Sequence, residues 1–327
     1  MVEASCRVTQ CFSDDLGVVR DAQRHDDWGS VTGRQDVEQF VHDEFLESLT
    51  SSYDYDALIG ADRGTYVLHQ TVAYEYAAPV RDLRQRLMVV PRARHGDQQR
   101  LVHRFDVNSC GNKRVRTRAD RFGNSIVRVS VPAVEERIEF RTRAVLMRDR
   151  TAVHPAPWAA AIPTRTQLTA PDEAIHDAAR SLGPVRDVLE TADAISDLIR
   201  SSFEYAHGAT SVRTTASAAW QLRRGVCQDM AHVMIAMCTS VGICARYVSG
   251  HLLGEGASHA WTEVFDPARQ LVVAIDPTHR RRTDLRYITT ATGRDYHDVA
   301  PTRGTYTGRG GGATLRVEKA VRLVELD

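Results

Sequence analysis

The stretch RRGVCQDMAHVMIAMCTSVGICARYVSG, residues 223–250, carries the pattern on which the reading of the chain rests. Gly225 supplies a tight backbone turn. From Cys227 onward, Met230, Ala231, Val233, Met234, Met237 and Val241 make a strongly apolar run with helical spacing. The spacing predicts a helix with a thiol at its N-terminus. There the unpaired backbone N–H groups and the helix dipole favour the thiolate, which is the nucleophilic form. Cys238 falls inside the apolar run and Cys244 precedes a strand, so both read as small buried hydrophobes.

Downstream, ARYVSGHLL (245–253) is a strand by its β-branched and aromatic content. The loop GEGAS follows, then HAWTEVFDPARQLVVAIDPTH (259–279). The latter alternates as two strands joined at Asp266-Pro267-Ala268, so His259 begins one and Asp276 ends its hairpin neighbour. Adjacent antiparallel strands bring imidazole and carboxylate within reach. The carboxylate fixes the ring's tautomer and stabilises the imidazolium formed when the other nitrogen takes the thiol proton. A Cys227–His259–Asp276 constellation follows. For the oxyanion, the expected donors are the backbone N–H of Cys227 or Gln228 with a side-chain donor at Tyr205. Trp261 packs beside the histidine or lines a substrate groove. Asp229 orients the helix entry or a loop, His232 satisfies a local hydrogen bond, and His251 is a decoy for the base. A zinc site from Cys227, His259 and Asp276 lacks a fourth ligand and a compact ligand pair. A redox reading of Cys227 needs a resolving thiol, and Cys238 lies about 16 Å away by helical rise.

The segments RRGVCQDMAH, ARYVSGHL, SHAWTEVF and AIDPTH, in this order, resemble the transglutaminase-like superfamily of papain-like cysteine enzymes, in its bacterial form. The family's catalytic cysteine, histidine and aspartate match Cys227, His259 and Asp276. Thr292 to Gly308, TGRDYHDVAPTRGTYTG, is similar to the stretch that follows the triad in this family, and residues 65–131 are similar to its preceding β-rich domain. The resemblance covers residues 64–327 and leaves out the first sixty. Met230 stands where the family usually has a larger aromatic residue or Leu, and Arg280-Arg281-Arg282 is locally unusual. The resemblance implies an amide hydrolase or acyl transferase working through a thioester on peptide or Gln amides. A catalytically silent protein-binding module of the same fold is the alternative.

Between residues 64 and 146, short runs rich in Val, Tyr, Thr and Phe are separated by turn signals such as His95-Gly96-Asp97 and Phe122-Gly123-Asn124. They predict an antiparallel β-sandwich without reactive residues. A proline-rich connection over 151–170 leads to helical periodicity, and TLRVEKAVRLVEL near the end alternates as a closing strand. The expected class is α+β, an N-terminal antiparallel β-sandwich followed by a papain-like core of helices and antiparallel sheet. The expected domains are an acidic extension (1–63), a β-domain (64–150), a linker (151–170) and a catalytic domain (171–327). Within the extension, apolar residues at helical spacing over 37–49 predict one helix.

The 327 residues balance forty-two acidic against forty-two basic groups, so no global field calls for nucleic acid or an anionic bilayer. The balance hides an asymmetry. Residues 1–60 hold thirteen Asp and Glu against four Arg, a local charge of −9. Forty of the basic residues are Arg, and a phosphate-binding reading of that skew requires them clustered on one face, which sequence does not show. The six cysteines are too sparse for a disulfide scaffold, and neither a secretory leader nor a membrane-spanning run is visible. The expectation is a cytoplasmic protein acting on protein or peptide, with no nucleic-acid or membrane partner and no metal or organic cofactor.

Overall fold

A computed structural model describes residues 57–109, 111–151, 165–255, 258–308 and 312–326. The helix expected over 37–49 and most of the proline-rich connection lie outside the described residues. A single helical turn, Ala57–Gly60, leads into β1 (Arg63–Tyr76), β2 (Val80–Val90), β3 (Arg94–His95), β4 (Gln98–Asn108), β5 (Arg114–Ala119), β6 (Ser125–Val134) and β7 (Arg137–Asp149). The chain then forms α1 (Glu173–Arg180), α2 (Val188–Ser202), β8 (Glu204–Tyr205), α3 (Ala216–Leu222), β9 (Arg224–Gly225) and α4 (Cys227–Ser240). It continues through β10 (Cys244–Leu252), β11 (Ser258–Asp266), β12 (Leu271–Asp276), β13 (Arg281–Arg282), β14 (Tyr287–Gly293) and α5 (Tyr296–Val299), and ends with β15 (Thr302–Gly308) and β16 (Ala313–Leu326).

These elements form two compact units, divided after the β7 region and again at Ala300. The first is a sandwich of two antiparallel sheets, ordered β16-β1-β7-β4-β3 and β15-β2-β6-β5. Alternation explains it: along β6, Val127, Val129 and Val131 enter the core while Arg128 and Ser130 are exposed. Facing them across the core are Val72 and Tyr74 of β1, Phe105 of β4, and Ile138 and Phe140 of β7. Burying each such side chain stabilises by about 1.5–3 kcal/mol. One polar cluster inside is hydrogen-bonded: Gln85 Nε2 donates to Tyr74 Oη at 3.0 Å and also to Thr302, and Tyr74 and Thr302 share a 2.8 Å hydrogen bond.

The return of the chain differs from the expected boundaries. Residues 300–326, expected in the catalytic domain, pair instead with the first unit: β15 lies beside β2, and β16 runs antiparallel to β1 from Gly64↔Leu326 to Tyr76↔Ala313. The reason is edge pairing. Without β15 and β16, β1 and β2 would each present an unpaired row of backbone groups.

The second unit packs helices on the antiparallel sheet β13-β12-β11-β10-β14. Each surface helix starts on a side-chain cap: Asp172 accepts from Ile175 N at 3.0 Å, Asp187 from Leu189 N and Glu190 N, and Thr215 from Ala218 N. The capping by Asp187 places the start of α2 at Val188. Helix α4 is buried from Cys227 through Cys238 and packs on α1, α2 and α3 on one side and β10 and β11 on the other. A helix that is apolar all round is stable only in such a surround.

Candidate active site

Two turns of backbone fix where α4 begins. Arg223 ends α3 in the left-handed region at φ 56°, with its guanidinium 3.3 Å above the Trp220 ring. The next residues, β9, pair in parallel with β8, setting Tyr205 beside Gly225. A Cβ at Gly225 would come within 2.6 Å of the Asp229 carboxylate, so only glycine lets that side chain fold back. There Asp229 Oδ2 accepts from Val226 N at 2.9 Å and from Thr210 Oγ1 at 2.6 Å. Asp229 thus locks the helix entry, as expected, and burial raises its pKa against those two bonds.

Cys227 is the first residue of α4 and only 4% exposed. The N–H groups of Cys227 and Gln228 occupy the first turn, where the helix itself offers no acceptor. Tyr205, half-exposed, stands at this point. Burial raises its pKa, followed by the charges of Cys227 and Glu255, while a hydrogen bond from the Cys227 backbone acts in the opposite direction. The phenol, the thiol and the helix N-terminus therefore meet.

The imidazole comes from the sheet. Antiparallel pairing of β11 with β12 sets Thr262 opposite Ile275, and one step further brings His259 diagonal to Asp276 on the same face. His259 Nε2 lies 2.8 Å from Asp276 Oδ2. Gly250 of β10 is directly opposite His259, and a Cβ there would strike the Ile288 carbonyl and the Trp261 ring. The backbone is pressed tightly behind the base.

Asp276 is fully buried, and its Oδ2 also receives Tyr287 Oη at 2.8 Å and His279 Nδ1 at 2.8 Å, while Oδ1 accepts from Thr278 N at 2.8 Å. Burial alone would raise its pKa; the bonds and charges of His259 and His279 reverse this and hold it well below the usual carboxylate range. For His259, burial favours the neutral ring, but hydrogen bonds to Asp276 and Cys227 and their negative charges push its pKa up to about 10. The other nitrogen, Nδ1, lies 3.3 Å from Glu255 Oε2, and Glu255 Oε1 lies 3.4 Å from His279 Nε2. His259 is thus held between the Asp276 carboxylate and the group formed by Cys227 and Glu255.

Three donor atoms of His259, Asp276 and His279 lie within 4.8 Å of one another, close enough to surround a cation. This set differs from the one considered in the sequence, because Cys227 is not in it. In the structure both imidazoles spend those nitrogens on a single Asp276 oxygen, which is a hydrogen-bonding arrangement.

The remaining expected residues are placed as follows. Trp261 is 1% exposed, stacks 6.3 Å from the His259 ring and meets Tyr287 edge-on at 5.4 Å. It packs the base and does not line an open groove, because Tyr287 and the β10 backbone cover it. His232 accepts from Tyr296 N at 3.1 Å, and burial lowers its pKa to about 4. His251 is buried within β10, and Cys238 is fully buried with its pKa pushed up to about 12 by desolvation. Sequence reasoning missed Glu255, His279 and Tyr287. His279, in the quoted AIDPTH, was the legible one of the three; Tyr287 and Glu255 carry no local signature.

Comparison with known proteins bears on the fold. The model of the transglutaminase-like superfamily matches residues 176–277, and that of the bacterial transglutaminase-like N-terminal region matches residues 66–146. An uncharacterized protein of Mycobacterium tuberculosis (strain ATCC 25618 / H37Rv) is 34% identical over 172 residues, covering 47% of this chain and 55% of its own. One from Mycobacterium leprae (strain TN) is 40% identical over 121 residues, 34% of this chain and 42% of its own. The matched part thus spans about half the length of these curated relatives. A solved structure from Cytophaga hutchinsonii, described as a candidate cysteine protease, shares the fold with a TM-score of 0.67 and 22% identity, over 82% of this chain and 93% of that one. The chain belongs to the bacterial transglutaminase-like superfamily, with the N-terminal β-region and the core of that family both present.

Proposed function

We propose that this protein is a cysteine-nucleophile amide hydrolase, with acyl transfer to an amine as the variant outcome of the same intermediate. The observation that carries the proposal is His259, fixed by Asp276 on Nε2 and electrostatically tied to Cys227. Cys227 Sγ attacks the carbonyl carbon of a Gln side chain or a peptide bond, and its proton passes to His259 Nδ1. The oxyanion is received by the first-turn N–H groups of α4 and the Tyr205 hydroxyl. Collapse of the tetrahedral species breaks the C–N bond as His259 returns the proton to the leaving amine. The thioester is then cleaved by water, with His259 as base, regenerating the thiol and releasing a carboxylate.

Water is the favoured acceptor because unselective cross-linking would damage the proteins of a reducing cytoplasm, where a free Cys227 persists. Asp276 orients the ring and holds the imidazolium; Tyr287 and His279 hold Asp276. The test is trapping of an acyl adduct on Cys227 from a glutaminyl or peptide substrate, by mass spectrometry, with alkylation of Cys227 followed in parallel. In His259→Ala both should fall by about a hundredfold or more. Alkylation indifferent to His259, with no adduct, would instead assign the fold to a binding module.

A further inference from the structure

The four-stranded sheet of the first unit carries a charge pattern that the register makes visible. Arg303 of β15 is opposite Arg86 of β2, Arg86 is opposite Arg128 of β6, and Arg128 is opposite Arg116 of β5. Four arginines therefore form one row across all four strands, spanning about 15 Å at ~4.8 Å per strand. Two residues along, the next row on the same face holds Arg84 and Arg114 with Thr305 and Ser130. The intervening Leu83, Leu87, Val127 and Val129 fill the sandwich core, so both rows face away from it.

Across β2, β5, β6 and β15 there are eight arginines and one carboxylate, Asp82. Arg84, Arg114, Arg116, Arg128 and Arg303 have no ion pair with any carboxylate among the described residues. The other sheet of the same unit is different. Six of its arginines are paired with carboxylates, Arg63 with Asp149, Arg137 and Arg141 with Glu139, Arg104 with Asp106, Arg148 with Asp97, and Arg316 with Glu75. Like charges directly opposite on adjacent strands destabilise a sheet, and the row lies within one or two Debye lengths of itself. Such a face attracts anions.

The same chain carries a strongly acidic segment. All thirteen acidic residues of the first sixty lie in 1–56, with four Arg, a charge of −9 that the rest of the chain matches with +9. That segment joins the described structure at Ala57, immediately before β1 of this same unit. About a dozen extended residues reach ~40 Å, ample to pass from one sheet of a sandwich to the outer face of the other. Tethering gives the segment an effective concentration in the millimolar range, which external anions rarely match. The face has hydroxyls but no aromatic side chain in these two rows, so it lacks the stacking platform that single-stranded nucleic acid prefers.

We propose that the arginine face of β15-β2-β6-β5 is the docking surface for the acidic residues 1–56 of this chain. The skewed arginine content thus has a clustered face, which the sequence alone did not reveal, and its occupant is carboxylate in place of phosphate.

The test is arginine footprinting of the full chain with phenylglyoxal, read by mass spectrometry at low and at high salt. Arg114, Arg116 and Arg128 should react on the order of fivefold more slowly than exposed Arg213 at low salt, and catch up as salt screens the contact. A full-length variant with the acids of 1–56 changed to Asn or Gln should show the fast rate at both salt levels. Equal rates at Arg116 and Arg213 in the wild type at low salt would overturn the proposal. So would protection that survives neutralisation of the acids, or that appears only when an oligonucleotide is added.

Discussion

The two units bury different things. The core between the sheets of the sandwich is Val, Leu, Ile, Phe and Tyr with the hydrogen-bonded cluster of Gln85, Tyr74 and Thr302, and the buried carboxylates of that unit, Glu139 and Asp149, pair with arginines. The second unit buries His259, Asp276, Asp229, His232 and His251 among its apolar residues, each at 3% exposure or less. Desolvating such groups costs free energy that hydrogen bonds must offset. The buried carboxylates of the sandwich are tied to arginines, whereas the buried His259 and Asp276 of the second unit converge on a thiol.

Changes that break this division rank by size. Cys227→Ala should lower amide turnover by about ten-thousandfold or more, with the thermal unfolding midpoint little changed, because the thiol is the bond-forming atom. Asp276→Asn should cost roughly a hundred- to ten-thousandfold in kcat/KM, since the amide cannot hold the imidazolium in place. In the sandwich the balance reverses. Phe140→Ala should destabilise by about 3–5 kcal/mol in denaturant titration while the alkylation rate of Cys227 in the folded protein stays at the wild-type value. Equal losses of reactivity in Phe140→Ala and Asp276→Asn would erase the distinction.

Gly250→Ala links the two terms within one unit. Its Cβ collides with the Ile288 carbonyl and Trp261 behind His259, so stability should fall by about 1–3 kcal/mol and acyl-adduct formation with it. A separate effect concerns pH. The pKa of His259 is raised from 6.5 to about 10 in the folded chain, so its contribution to stability is complete below pH 6.5 and is lost as pH climbs toward 10. The wild type should therefore lose unfolding free energy across that window, and His259→Gln should lose less. Parallel pH profiles would show that His259 titrates alike folded and unfolded.

The parts legible in the sequence were those written locally. The apolar run from Cys227 gave α4, alternation gave β11 and β12, and the hairpin at Asp266-Pro267-Ala268 put His259 near Asp276. Convergence of distant segments was not legible. Tyr287 reaches Asp276 from β14, and Glu255 reaches both His259 and His279 from the loop after β10. Neither position differs in spacing or composition from an ordinary strand or loop residue. The arginine row needed the registers of three strand pairs at once, and the pairing of β16 with β1 joins residues some 260 apart in sequence. No periodicity within a window reports such pairings.

That last pairing has a consequence for synthesis. The chain lays down β1 to β7 first, yet both sheets of the sandwich lack an edge strand until β15 and β16 emerge. The intervening unit is continuous in sequence and has all its strands and helices as soon as residue 299 is made. On the ribosome, the later-encoded unit can therefore finish folding before the earlier one. The nascent sandwich waits with β1 and β2 exposed along one side, a template for pairing with other chains. A ribosome that stops short of β16 would release the second unit folded beside a sandwich that aggregates.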